Sequence, residues 1–273
     1  MPELPDLEVL RKRVHILVGD TISSVDIFFP LTIRMFIEGT PQEILTGKKI
    51  DAISRRGKFL IFHTSQVNIA MNLMLTGRIT VEHSSDHNPR NTVVRIVFES
   101  GNVLYFADYK KMGKIYVTTT LEEIPGFTEL GMEPFSDDFT LSYFTALCTD
   151  TRPIKLMLTD QHLIAGIGNS YVDEILFDAK INPRKKAASL TEREIEMVYD
   201  STVSVLCNGI FQIENRLKGE GNGKESGKEA HDFFNVHGKK GQPCPCCGNT
   251  LREISVSGRS THVCPHCQEV TFP

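Results

Sequence analysis

Apolar residues along this chain follow three successive rhythms. Over residues 4 to 18, Leu7, Leu10, Val14 and Leu17 recur on one helical face, which predicts an amphipathic helix. From about 20 to 118 the pattern becomes that of strands. Thr21–Phe29, Phe59–Phe62, Val67–Leu75, Thr92–Phe98, Val103–Phe106 and Lys114–Thr118 are rich in β-branched and aromatic residues. Glu99-Ser100-Gly101-Asn102 separates two of these runs and reads as a hairpin turn. Short strands without intervening helices predict a sandwich or barrel. From 135 to 210 the helical period returns, with helices expected near 140–148, 152–159 and 170–179. The glycine-containing turn Ile164-Ala165-Gly166-Ile167-Gly168-Asn169 opens the third of these. Thr191 and Glu194 have capping-box spacing and open a last helix over Ile195, Val198 and Val205. Residues 217–230 are glycine-rich and charged, as in a flexible loop, and no internal repeat is apparent.

Composition adds limits to this outline. The 273 residues are 40% hydrophobic and 23% charged, which is the profile of a folded globular chain of one large or two ordinary domains. The start is acidic and proline-punctuated, without the apolar core of a signal peptide, and no apolar run reaches the roughly 18 residues of a membrane span. A cytoplasmic location is therefore expected. The net charge of −4 counts against a uniformly basic nucleic-acid binder. Positive charge is nevertheless grouped locally, at Arg11-Lys12-Arg13, Arg55-Arg56-Gly57-Lys58, Lys110-Lys111, Arg184-Lys185-Lys186 and Lys239-Lys240.

Cysteine usage is uneven. Of seven cysteines, Cys148 and Cys207 stand alone in apolar stretches and are expected in the core. The other five crowd into the last thirty residues, where Cys244-Pro245-Cys246-Cys247 and Cys264-Pro265-His266-Cys267 form two C-x2-C knuckles sixteen residues apart. That spacing predicts one structural zinc held by Cys244, Cys247, Cys264 and Cys267, with Cys246 and His266 as bystanders. Leu251 to Val263 alternates enough to be a hairpin, and its turn, Ser257-Gly258-Arg259-Ser260, puts Arg259 near the tip. Arg259 is then either a rigidly mounted phosphate ligand or an ordinary solvated turn residue.

The chain start carries chemistry of its own in Pro2-Glu3-Leu4-Pro5-Asp6. Removal of Met1 would leave Pro2 a secondary amine able to form an iminium with an aldehyde or a sugar carbon, and the Glu3 carboxylate beside it could give or take a proton.

Five segments together resemble the bacterial formamidopyrimidine-DNA glycosylase and endonuclease VIII family. They are Met1-Pro-Glu-Leu-Pro-Asp6, Arg55-Arg-Gly-Lys58-Phe-Leu, Gly166-Ile-Gly-Asn169-Ser-Tyr171, Gly238-Lys-Lys-Gly-Gln-Pro-Cys244 and the zinc ribbon with Gly258-Arg259, in the family's order from one end of the chain to the other. The resemblance implies a multidomain α+β fold: an N-terminal helix on a β-sandwich (1–125), a helix-two-turn-helix domain (135–216), a flexible linker (217–235) and a zinc finger (236–273). It implies double-stranded DNA with a damaged base or abasic site as partner, bound by a monomer in the bacterial cytoplasm, at the nucleoid.

The implied reaction begins on a nucleotide flipped out of the stack. Pro2 nitrogen attacks the sugar C1′ and expels the base. Glu3 protonates the opening ring, and β-elimination, with δ-elimination possible after it, cuts the strand. Lys58 matches a lysine acting at the phosphate and in elimination, Arg259 the zinc-finger arginine on the flanking phosphates, and Lys155 a lysine beside the site. Asn169 matches an asparagine at a helix start whose N–H groups could add phosphate donors.

Some positions depart from the family pattern. Asp6 stands in place of glutamate in a supporting role, and Leu75 takes the place of an intercalating methionine. In Asp108-Tyr109-Lys110-Lys111-Met112-Gly113, Lys110 replaces an arginine that probes the opposite base, and Met112 replaces a phenylalanine. A second reading uses the same fold as a non-catalytic binder of damaged or abasic DNA.

Overall fold

The computed structural model describes residues 1–83, 87–220 and 231–271. Chain contacts divide into two compact units, one comprising Met1–Pro2 and Asp6–Glu129, the other Glu3–Pro5, Leu130–Gly219 and Ala230–Pro273. The expectation for most of 217–230 lies outside the described residues.

The first unit is a helix on a two-sheet sandwich. Helix α1 (Leu4–Val14) ends in a 3-10 turn at His15–Leu17, so the periodicity read over 4–18 holds while the last turn tightens. One sheet runs β1 (Ile22–Ile27), β7 (Thr92–Phe98), β8 (Asn102–Asp108), β6 (Gly77–His83), all antiparallel. The other runs β2 (Ile33–Met35), β9 (Lys114–Thr118), β5 (Asn68–Asn72), β4 (Phe59–His63), β3 (Ala52–Arg56), with only β2–β9 parallel. Leu7 and Val14 of α1 join Leu60, Phe62 and Met71 of one sheet and Val94, Ile96 and Phe106 of the other in a single apolar core.

Strands β2, β3 and β6 have no counterpart in the sequence pattern. β2 has three residues, β3 ends in Ser54-Arg55-Arg56, and β6 opens on Gly77-Arg78 and ends on Glu82-His83. Too few apolar positions alternate in them to register. The short helix α2 (Pro41–Leu45) also escaped, although Thr40 and Glu43 form a complete capping box ahead of it.

Strand register decides which loops are neighbours. Arg56 pairs with Phe59, Phe59 with Asn72, and Asn72 with Lys114. The β3–β4 turn bearing Lys58, the loop after β5 and the loop before β9 therefore share one end of that sheet.

The second unit is helical: α3 (Leu141–Leu147), α4 (Ile154–Leu158), α5 (Asn169–Asp178) and α6 (Glu192–Glu220). The Thr191–Glu194 capping box opens α6 as expected, with Thr191 N–H donating to Glu194 Oε2 at 2.8 Å. The helix continues to Glu220, so residues 217–220 are helical rather than the start of a loop. Phe234, also placed in the linker by the sequence, is buried with Tyr171, Ile175 and Leu206. Cys148 is buried as expected, whereas Cys207 lies exposed on α6. A hairpin of β10 (Arg252–Val256) and β11 (Arg259–Val263), joined by Ser257-Gly258, completes the unit. Among the described residues, no helix is long and apolar enough to cross a membrane.

Candidate functional site

Four side chains singled out in the sequence, Glu3, Lys155, Asn169 and Arg259, belong to the second unit and are drawn together by α5 and the hairpin. Glu3 is only 2% exposed. Its carboxylate accepts the backbone N–H groups of Gly168 (2.7 Å) and Tyr171 (3.2 Å) on Oε2 and of Ser170 (2.9 Å) on Oε1. A negative charge at a helix N-terminus meets both the unpaired N–H groups and the positive end of the dipole. The fit needs glycine at 168, because a Cβ there would lie 2.4 Å from Glu3 Cδ. Three of the N–H groups at this helix start are thus taken by the protein's own carboxylate. Leu4 fixes the same segment, its N–H donating to Gly166 O at 3.0 Å.

Asp173, one turn into α5, is fully buried. Its Oδ1 accepts Lys155 Nζ at 2.8 Å, and its Oδ2 faces His237 Nδ1 at 2.7 Å and takes His262 N–H at 3.0 Å. Burial alone would raise this carboxyl. Hydrogen bonds from His237 and His262 and the Lys155 charge overcome it and hold Asp173 at about 2. Burial pulls Lys155 below the ordinary lysine range and Arg259 adds to the effect, while Asp173 works against it. The next residue, Glu174, accepts the N–H groups of Asn235, Val236 and His237 and so ties down the chain leading into the zinc knuckles. Burial pushes its carboxyl up, against those bonds.

Lys155 is engaged entirely within the second unit. It is 0% exposed, and besides Asp173 its ammonium meets Thr261 Oγ1 at 2.7 Å and Ser260 O at 3.0 Å. An ammonium has three protons, and all three are used inside the protein. Lys155 is therefore a clamp on β11. Asn169 Nδ2 donates to the same Ser260 carbonyl at 2.9 Å, so its side chain also holds the hairpin. Next to Ser260, the exposed Arg259 leaves the strand with Nη1 donating to Thr159 Oγ1 at 2.6 Å, and Thr159 donates to Lys155 O at 2.9 Å.

Asp173, Glu174, Thr159, His237 and His262 were not anticipated. The signal was nonetheless present. Asp173-Glu174 interrupts the run Tyr171-Val172 … Ile175-Leu176-Phe177, and adjacent acids in a buried helix need partners.

The sulfur atoms of Cys244, Cys247, Cys264 and Cys267 all lie within 4.8 Å of one another, with Cys244–Cys267 at 3.9 Å and Cys247–Cys264 at 3.5 Å. Tetrahedral zinc–thiolate bonds of about 2.3 Å require sulfurs about 3.8 Å apart. The four cysteines thus fit one structural Zn2+, and Cys246 and His266 stay exposed outside the cluster.

In the first unit, Pro2 is buried and its nitrogen is in the peptide link to Met1. Asp6 lies half-buried in the first turn of α1. Lys58 lies half-buried in the β3–β4 turn, and Leu75 and Lys110 are exposed on the two loops at that end of the sheet.

A sandwich unit, and a helical unit that ends in a four-cysteine hairpin, define a zinc-ribbon protein of the helix-two-turn-helix class. The model of the formamidopyrimidine-DNA glycosylase N-terminal domain matches residues 1–115, that of the formamidopyrimidine-DNA glycosylase H2TH domain residues 130–218, and that of the zinc finger found in FPG and IleRS residues 241–270. The chain belongs to the formamidopyrimidine-DNA glycosylase family. It is 36% identical over 273 residues to the formamidopyrimidine-DNA glycosylase of Bacillus cereus, covering 98% of this chain and 99% of that one. Among solved structures it is similar to the Lactococcus lactis enzyme bound non-covalently to AP-site DNA (TM-score 0.85, 33% identity, 98% and 100% of the two chains). The same enzyme with an oxidised-pyrimidine DNA gives a TM-score of 0.86 at 33% identity, again over 98% and 100%.

The buried charges and the metal can each be tested. Asp173→Asn leaves Lys155 buried without its counter-charge and should cost roughly 3–5 kcal/mol in denaturant unfolding at pH 7. Because the folded carboxyl is depressed to about 2, its stabilisation is complete above about pH 4 and is lost as pH falls through 2. That loss is worth roughly 2–3 kcal/mol and should be absent in the variant. A pH slope unchanged by Asp173→Asn would rule this out. For the metal, the wild type should hold one equivalent of zinc. Cys264→Ser should lose it together with amide protection in β10 and β11, while Cys246→Ser keeps both. Zinc retained by Cys264→Ser would reject the four-cysteine assignment.

Proposed function

We propose that the protein is a base-excision repair enzyme, a DNA glycosylase that also cleaves the abasic site. The observation that carries this reading is the cradle of Glu3. A carboxylate next to Pro2 in the chain is sequestered and oriented by three backbone N–H groups, a costly arrangement that packing alone does not call for. The family membership and the DNA-bound relatives support the same reading.

With Met1 removed, the Pro2 amine attacks C1′ of an extruded damaged nucleotide as the glycosidic bond breaks, and the base leaves with a proton. Glu3 delivers a proton to the ring oxygen through Oε1, the oxygen with fewer backbone bonds, and the ring opens to an iminium. The iminium acidifies the 2′ hydrogen. Its loss expels the 3′ phosphate, and a second elimination can release the 5′ phosphate. Water then frees Pro2. Lys58 serves the phosphate and the elimination step, and Arg259, steadied by Thr159, binds the phosphates flanking the lesion. Asn169 and Lys155 position Arg259 through Ser260. Asp6 supports the chain start, Leu75 acts as an apolar wedge and Lys110 meets the opposing strand. The substrate is double-stranded DNA with a damaged base or abasic site, taken by a monomer at the nucleoid.

Borohydride reduction on an abasic duplex tests the chemistry. The wild type should form a covalent adduct, and Pro2→Gly should lose it while binding a tetrahydrofuran duplex within about threefold of wild type. An adduct that survives in Pro2→Gly sinks the assignment of the nucleophile. Tight binding with no adduct from the wild type would instead favour a non-catalytic binder.

A further inference from the structure

Tyr109 is an aromatic side chain that the core does not use. It is 72% exposed, the most exposed of the large apolar side chains among the described residues. It stands where β8 leaves the sandwich, and that departure is rigidly built. The preceding Asp108 is buried, and its carboxylate accepts Gly113 N–H at 2.7 Å, Lys110 N–H at 3.2 Å and the Thr76 hydroxyl. Lys110 N–H also donates to Thr76 Oγ1 at 3.0 Å. The loop 109–113 is thereby fastened to the loop that carries Leu75. Both loops press on one ring, since a Cβ at Gly77 or Gly113 would come within 2.8 Å and 2.4 Å of Phe106.

Charge and register say what this platform meets. Lys111 turns back, with Nζ 4.5 Å over the Phe29 ring, whereas Lys110 remains exposed beside Tyr109. Lys58 lies at the same end of the sheet, by the pairing of Arg56, Phe59, Asn72 and Lys114. An exposed aromatic on a stiff mount, among lysines, suits a nucleobase presented without its pairing partner. A convex side chain cannot enclose a base, so it is fitted to stacking rather than to reading base edges.

We propose that Tyr109 stacks on the base left unpaired opposite the extruded nucleotide, as a further DNA-binding residue. The inference rests on the function proposed above and deepens it. Stacking accepts any base face, whereas edge contacts discriminate. Tyr109 therefore gives affinity for the opposing strand with little preference among the four bases there.

The test measures binding to tetrahydrofuran duplexes carrying each of the four opposite bases, and to one whose opposite position also lacks a base. Tyr109→Ala should weaken binding about tenfold for all four bases, as expected for loss of one stacking contact. It should leave the double-abasic duplex unchanged, and Tyr109→Phe should bind every duplex like the wild type. An equal loss on the double-abasic duplex, a loss confined to one base, or no loss overturns the proposal. If the wild type still prefers tetrahydrofuran over undamaged duplex and still forms the borohydride adduct, only the role of Tyr109 has failed. A wild type without either property overturns the proposed function and this inference together.

Discussion

A charge placed where no water reaches it must be matched by its neighbours, and Asp173 makes that demand of most of the helical unit. Its two oxygens face groups from α4, from the segment before the zinc knuckles and from β11. None of these can drift without leaving a buried carboxylate short of partners, a loss of several kcal/mol. Glu174 repeats the device one residue on, through backbone N–H groups. The zinc hairpin is thus held twice, by four thiolates within and by two carboxylates of α5 from outside. The metal fixes the hairpin's shape, and α5 fixes where Arg259 emerges.

The N-terminus of α5 is used in the same economical way. A helix start is an anion site, and here the anion is Glu3. The same turn of helix that would suit a phosphate here orients a protein carboxylate. In the sandwich unit the organising element is neutral by comparison: Phe106 lies beneath two loops and sets their common base.

Legibility from sequence differed by kind of interaction. The zinc ligands could be read because two knuckles at fixed spacing admit few other meanings. Pro2, Glu3 and Arg259 could be picked out because they sit in local motifs. Strands β4, β5, β7, β8 and β9 showed in their apolar runs, whereas β3 and β6, with charged residues at their ends, did not. The burial of Lys155 could not be read, since a lysine's burial is a tertiary fact with no local marker. His237 and His262 gave no hint at all, because what binds them to Asp173 is 64 and 89 residues away in the chain. The continuation of α6 to Glu220 shows a long helix running on into a glycine-rich composition.

The bond from Gly168 to Glu3 joins residues 165 apart. On a ribosome adding about 5–20 residues per second, the chain start emerges roughly 10–30 seconds before its cradle exists. During that interval Glu3 belongs to an ordinary solvated peptide. Once α5 is made, Glu3 docks on it and is buried. The resting place of this carboxylate is thus made long after the residue itself, and a chain halted before residue 168 would leave Glu3 in water without its three partners.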